Sequence, residues 1–154
     1  MDVRAFVGLG ANLGDREATL RAGLERLAAE PGIRVVAVSS FLETEPWGFL
    51  DQPGFVNAAC ELATSLAPHE LLRRLLAIEA ELGRTRDGPR WGPRTLDLDL
   101  LLYGDETIDD PPVLEVPHPR LVERRFAVEP LVELDPGLRL PDGRALTDVL
   151  AELE

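Results

Sequence analysis

The chain has 154 residues, 45% of them hydrophobic, and a formal charge of −12 from 16 basic and 28 acidic side chains. A chain of this length buries about 70% of its unfolded surface, so one core forms without staples, and a single cysteine, Cys60, excludes an internal disulfide and a four-cysteine zinc site. With no apolar run near the ~18 residues that span a bilayer, no signal-peptide opening and an acidic overall field, the expectation is a cytoplasmic protein without membrane or nucleic-acid partners.

Val3, Ala5, Val7 and Leu9 alternate with Arg4, Phe6 and Gly8, which predicts a strand over 3–9 ending in a glycine-bearing turn from Gly8 to Asn12. Leu20, Leu24, Leu27 and Ala28 recur at helical spacing between Asp15, a helix-start residue, and the Pro31-Gly32 stop. The β-branched stretch 33–41 reads as one strand, and 43–53 as a polar, proline-containing loop too long for a tight hairpin. A strand over 55–63 places Phe55 and Asn57 on one face. Pro68 suits the first turn of a helix that runs through Leu71, Leu75 and Ile78 to Gly83. Residues 84–94 carry Arg84, Arg86, Arg90, Arg94 and Trp91 among glycines and prolines with neither period, predicting a mobile loop. A short strand over 96–103 follows, then an extended or turn-like proline-rich stretch over 111–119, a helical segment within 121–134, a turn at Pro141-Asp142-Gly143 and a closing helix over 145–153. The order strand, helix, strand, strand, helix, strand predicts one α+β domain over 1–154. It is a ferredoxin-like sandwich with a mainly antiparallel sheet, helices packed on one face and the site groove on the other.

Every basic residue is arginine. The absence of lysine excludes a Walker P-loop, a protein-kinase strand lysine and Schiff-base chemistry. The densest signal is the segment from Arg90 to Leu101. On a strand, Asp97 and Asp99 point to the same side with Cα atoms about 6.5–7 Å apart, while Leu98 and Leu100 point to the core. Two like charges on one strand face repel unless a cation compensates them, and an all-oxygen donor pair suits Mg²⁺ shared with phosphate oxygens. The bland alternative is a pair of solvated aspartates. Arg84, Arg86, Arg90 and Arg94 just upstream favour the phosphate reading, because planar guanidinium forks match phosphoryl oxygens and a closing loop can present them to a nucleotide. Trp91 either covers a base or fills an apolar gap.

Together with Gly8-Leu9-Gly10-Ala11-Asn12-Leu13-Gly14-Asp15, Thr44-Glu45-Pro46-Trp47-Gly48, Asp51-Gln52-Pro53-Gly54-Phe55-Val56-Asn57 and Val116-Pro117-His118-Pro119-Arg120, this segment resembles the 6-hydroxymethyl-7,8-dihydropterin pyrophosphokinases, folate-pathway enzymes that use ATP. The resemblance is collinear over essentially the whole chain. It implies a monomeric pyrophosphokinase that moves the diphosphoryl group of ATP to the pterin hydroxymethyl oxygen, giving AMP and the pterin diphosphate. It further implies two Mg²⁺ ions on Asp97 and Asp99, with Arg84 and Arg94 supporting transfer. Glu79, Arg86, Trp91, His118 and Arg124 match ATP-side positions, and Thr44, Pro46, Trp47, Phe55, Asn57 and Phe126 match positions around the pterin.

The residues agree with these roles. Asn57 offers a donor and an acceptor to the amide-like edge of a pterin, and Phe55, two residues away, can stack on the ring; the bland alternative is a polar residue on an exposed sheet face and a core aromatic. His118, held in a rigid turn between two prolines, can donate to a phosphate or serve as a structural donor. His69 and Cys60 read as structural, and the spacing of Gly8, Gly10 and Gly14 suits a tight strand-to-helix turn rather than a dinucleotide fingerprint. Phe55 stands where some members have tyrosine, Pro119 where some have an aromatic, and Leu76 where some have glutamine, so the adenine contacts depart most from the family pattern. Two other readings use the same residues: an Mg²⁺-dependent nucleotidyltransferase attacking the α-phosphorus, and a non-catalytic ferredoxin-like ligand sensor.

Overall fold

The computed structural model describes residues 2–11, 15–44, 55–83 and 96–153. Its elements are β1 (Val3–Ala11), α1 (Arg16–Ala29), β2 (Ile33–Val38), β3 (Leu42–Thr44), β4 (Phe55–Thr64), α2 (Pro68–Gly83), β5 (Asp97–Tyr103), β6 (Ile108–Asp110), β7 (Leu114–Val116), α3 (Arg125–Leu134) and α4 (Leu146–Glu152), with a 3₁₀ turn over Leu121–Glu123. The main sheet runs β2-β4-β1-β5, with β3 also on β4 and every pair antiparallel. Each helix crossover therefore skips one strand, which is the split βαβ arrangement of the expected α+β sandwich.

Period-two alternation decides which side chains meet α1 and α2. Ala5, Val7 and Leu9 of β1, Val56, Cys60 and Leu62 of β4, and Leu98 and Leu100 of β5 are buried against Leu20 and Leu27 of α1 and Leu71, Leu75 and Ile78 of α2. Asp15 caps α1, its carboxylate accepting from the Ala18 N–H at 3.1 Å. Gly32 ends the reversal after α1 at φ 86°, a conformation only glycine adopts freely, and its carbonyl accepts from the Thr64 hydroxyl at 2.6 Å. Cys60 is fully buried and burial pushes its thiol up to about 12, so it is an inert core residue, as expected.

The structure corrects three boundaries. β1 does not turn at Gly8; it continues to Ala11, so Gly8 and Gly10 lie within a central strand. The stretch 33–41 is not one strand, because residues 39–41 stand against only Ala58 and Ala59, between the Val38–Cys60 and Leu42–Asn57 pairs. This is a bulge, and the buried Ser39 hydroxyl occupies the place of a ladder group: it accepts from the Ala59 N–H and donates to the Ser40 carbonyl, both at 2.9 Å. Glu43 and Thr44, expected at the start of a loop, belong to β3; 45–53 lie outside the described residues. The proline-rich stretch is turn and extended, as expected: Pro111 and Pro112, which lack an N–H to donate, lie in the connection of the β6–β7 hairpin and Leu114–Val116 form its second strand.

The second sheet face is divided. At one end Phe6, Ala59 and Leu101 form a second core with Leu121, Val128 and Leu131 from the α3 region and Leu146 and Val149 from α4. At the other end, beyond Phe6, β1 offers only Gly8 and Gly10 on this face, and the groove opens there. Among the described residues no helix is long and apolar enough to cross a membrane.

Candidate active site

The groove is built on a row across three strands. Gly10 pairs with Asn57 on one side and Asp97 on the other, and Gly8 pairs with Ala59 and Asp99. Paired residues in an antiparallel ladder share a face, so the Asn57 amide and both carboxylates rise from one surface whose floor, at the two glycines, has no side chains. Asn57 is 7% exposed, Asp97 and Asp99 are half-buried, and Leu98 and Leu100 point into the core as the alternation predicts. The cavity above this floor holds about 560 Å³, and Phe55, Leu121, Arg124, Phe126 and His118 contribute to its walls.

These walls come from three places. Phe55 opens β4, paired with the backbone of Thr44. Phe126 lies in the first turn of α3, and the Arg124 guanidinium sits 5.6 Å from its ring centroid, a cation–π contact that holds both at one edge of the groove. His118 is tied to β5 by its backbone N–H, which donates to the Leu101 carbonyl at 3.1 Å. Its Nδ1 accepts from the Arg120 N–H at 3.2 Å, so the neutral ring carries its proton on Nε2 and can donate from that atom. Burial holds the imidazole below its ordinary pKa. Asp99 pulls upward, Arg124 and Arg120 pull downward, and Glu115 pulls upward.

A histidine with a lowered native pKa takes up its proton more readily in the unfolded chain. Its contribution to stability is complete above the unfolded pKa of about 6.5 and declines as the pH falls toward the lowered native value. Nitrogen-15 spectra should show His118 as the Nε2–H tautomer with a midpoint below 6.5 in the free protein; the Nδ1–H tautomer or a raised midpoint would contradict this geometry.

The donor set fits Mg²⁺. Among the described residues no three or more His, Cys, Asp or Glu side chains converge on a metal position. The carboxylate pair on the groove face suits Mg²⁺, which is commonly bound by one or two carboxylates, substrate phosphates and water.

Of the positions singled out in the sequence, Asp97, Asp99, Asn57, Phe55, Phe126, His118 and Arg124 converge on this one groove. Glu79 does not line it; it stands on α2, and its carboxylate accepts from the Leu98 N–H at 2.6 Å. Pro46, Trp47, Arg84, Arg86, Trp91 and Arg94 lie outside the described residues. His69 is not part of the groove lining and pairs with Asp110 at 2.8 Å. Sequence reasoning missed the roles of Gly8 and Gly10. Their signal was available: they continue the phase of Phe6 opposite buried Leu9. Arg120 and Glu123, also in the lining, carry no periodic signal that would have placed them there.

An antiparallel sheet with two glycines on its floor, the Asn57 amide, Phe55 and Phe126, and the Asp97–Asp99 carboxylate pair with His118 and Arg124 around one groove has the make-up of a small-molecule site. The family model described as 7,8-dihydro-6-hydroxymethylpterin-pyrophosphokinase (HPPK) matches residues 6–136, and the chain belongs to that family. It is 49% identical over 148 residues to the 2-amino-4-hydroxy-6-hydroxymethyldihydropteridine pyrophosphokinase of Pseudomonas aeruginosa, covering 96% of this chain and 90% of that one. The enzyme of that name from Bacillus subtilis is 49% identical over 130 residues, 84% of this chain and 77% of that one. Among solved structures, an HPPK-DHPS of Plasmodium falciparum matches with a TM-score of 0.78 over 99% of this chain and 45% of that chain. At 13% identity that match shows the shared fold.

Proposed function

We propose that this groove transfers the diphosphoryl group of ATP to the hydroxymethyl oxygen of 6-hydroxymethyl-7,8-dihydropterin, giving AMP and the pterin diphosphate for folate biosynthesis. The observation that carries the reading is the row Asn57, Gly10, Asp97, which sets a heterocycle-reading amide and a cation-binding carboxylate on the same face, one strand apart on either side of a bare floor. Asn57 reads the amide-like edge of the pterin, and Phe55 and Phe126 offer faces to the ring. The ring is thereby oriented with its hydroxymethyl arm toward the carboxylates.

ATP lies beside the ring along the carboxylates, where Nε2–H of His118 and the Arg124 guanidinium receive phosphate oxygens. Asp97 and Asp99 would hold magnesium, as two ions, and when bound it neutralises phosphate charge and aligns the reactants. A bond forms between the hydroxymethyl oxygen and the β-phosphorus as the bond to the α,β-bridging oxygen breaks in line; AMP leaves with that oxygen and the hydroxyl proton is released to water. Arg84 and Arg94 stabilise charge on the transferring group, with Arg86 and Trp91 in the same segment and Thr44, Pro46 and Trp47 framing the pterin; these roles rest on the family pattern. We assign all 154 residues to one such domain, acting as a cytoplasmic monomer.

The test is a turnover assay with ATP, Mg²⁺ and 6-hydroxymethyl-7,8-dihydropterin, with and without EDTA. AMP plus pterin diphosphate, abolished by EDTA, is the expected result. Free pyrophosphate with a nucleotidylated pterin would establish nucleotidyl transfer instead, and ligand binding without turnover would establish a sensor.

A further inference from the structure

Among the described strands β5 pairs with β1 alone. On the edge away from β1 the Glu79 carboxylate accepts the Leu98 N–H at 2.6 Å, a short charge-assisted bond from the core-side helix α2. Leu98 is the residue between Asp97 and Asp99. Because its peptide N–H turns outward, the alternation of an antiparallel ladder turns the peptide groups of both aspartates toward β1, opposite Gly10 and Gly8. Those partners have no side chains to hold the aspartates from the β1 side, and the β1–β5 register shifts once already, between Phe6 and Val7.

We propose that Glu79 is a positioning residue for the metal pair: it locks the Leu98 peptide from behind the sheet and thereby fixes the spacing and orientation of the Asp97 and Asp99 carboxylates without touching the reacting groups. The inference rests on the magnesium role given to those aspartates above. It makes the carboxylate of Glu79 matter as an acceptor, not as a charge presented to ATP. Glu79→Gln keeps an acceptor oxygen at the same reach, whereas Glu79→Ala removes it. Partners that orient metal ligands typically account for about 10- to 100-fold in metal affinity or activity.

Three readouts test this on the full chain. Amide hydrogen exchange at Leu98 should be faster in Glu79→Ala than in wild type and restored in Glu79→Gln. Mn²⁺ titrated into protein with a non-hydrolysable ATP analogue, followed by electron paramagnetic resonance, should bind about 10- to 100-fold more weakly in Glu79→Ala and close to wild type in Glu79→Gln. Pterin affinity, measured without nucleotide, should be unchanged in both. Unchanged Leu98 exchange in Glu79→Ala would overturn the brace whatever the activity. A Glu79→Gln variant as impaired as Glu79→Ala, with its defect in the ATP-analogue affinity rather than in Mn²⁺, would assign Glu79 to direct ATP contact and overturn the proposal too. Failure of the pyrophosphokinase reading is separate, since it appears as absent AMP formation in wild type while the Leu98 exchange result stands.

Discussion

Asp97→Ala and Asp99→Ala should each lower kcat by about 10³-fold or more, because each removes an oxygen ligand from a cation whose charge stabilisation is worth several kcal/mol, and every 1.36 kcal/mol is tenfold in rate. Stability should barely follow. Both side chains are half-buried on the groove face rather than in either core, and removing one of two adjacent like charges relieves repulsion, so the thermal midpoint should stay within about 2 °C of wild type. Asp→Asn at either position retains one oxygen but loses the charge, and should fall between wild type and alanine. Steady-state rates alongside thermal melts check the pair of expectations. Wild-type turnover in either alanine variant would remove that carboxylate from the metal role.

The second large effect belongs to a residue with no side chain. A Cβ on Gly10 would lie 2.9 Å from Oδ1 of Asn57, so the amide must turn away to admit it. The backbone itself accepts alanine, since Gly10 is not among the glycines at positive φ, and glycine within a strand is the less stable choice by about 0.5–1 kcal/mol. Gly10→Ala should therefore keep the fold, yet lose the Asn57 contacts to the pterin edge. Two such hydrogen bonds correspond to about 2–3 kcal/mol, or a 30- to 150-fold rise in the pterin Kd. Gly8→Ala is the control. Its Cβ would meet the Cδ1 end of Leu101 at 3.3 Å, a side chain that can yield, so its pterin Kd should rise only a few-fold. Calorimetric titration of pterin into the two variants decides the matter; wild-type affinity in Gly10→Ala would show that the bare floor is not what admits the ring.

The contrast between these sites shows what kind of information the chain carries openly. Asp97 and Asp99 were legible because period-two alternation alone puts them on one face, and Asn57 with Phe55 for the same reason. α1 and α2 were legible because Asp15, Pro31-Gly32, Pro68 and Gly83 punctuate long apolar periods. The glycine floor was not read because the same residues signal turns when seen locally, which masked the phase they share with Phe6; the pairing of β1 with both β4 and β5 shows that they continue the strand. The break at Ser39 was hidden for a similar reason: the apolar pattern runs through it, while the bulge is made by a hydroxyl bonding to Ala59, 20 residues away. The division of the second face by α3 and α4 depends on Phe6, Ala59 and Leu101 meeting from three strands, which no single segment announces. Glu79 is the same case at the site itself. The family pattern marks the position, but its contact with the Leu98 peptide exists only in the folded chain.

The central claim is attack at the β-phosphorus by the pterin hydroxymethyl oxygen, with Asp97 and Asp99 as the carboxylate pair that organises it. Turnover of ATP labelled with phosphorus-32 in turn at the α, β and γ positions tests it most directly. The account predicts that β and γ label both travel to the pterin product and α label remains in AMP. Transfer of γ label alone with ADP left behind, or of α label with pyrophosphate released, would contradict it.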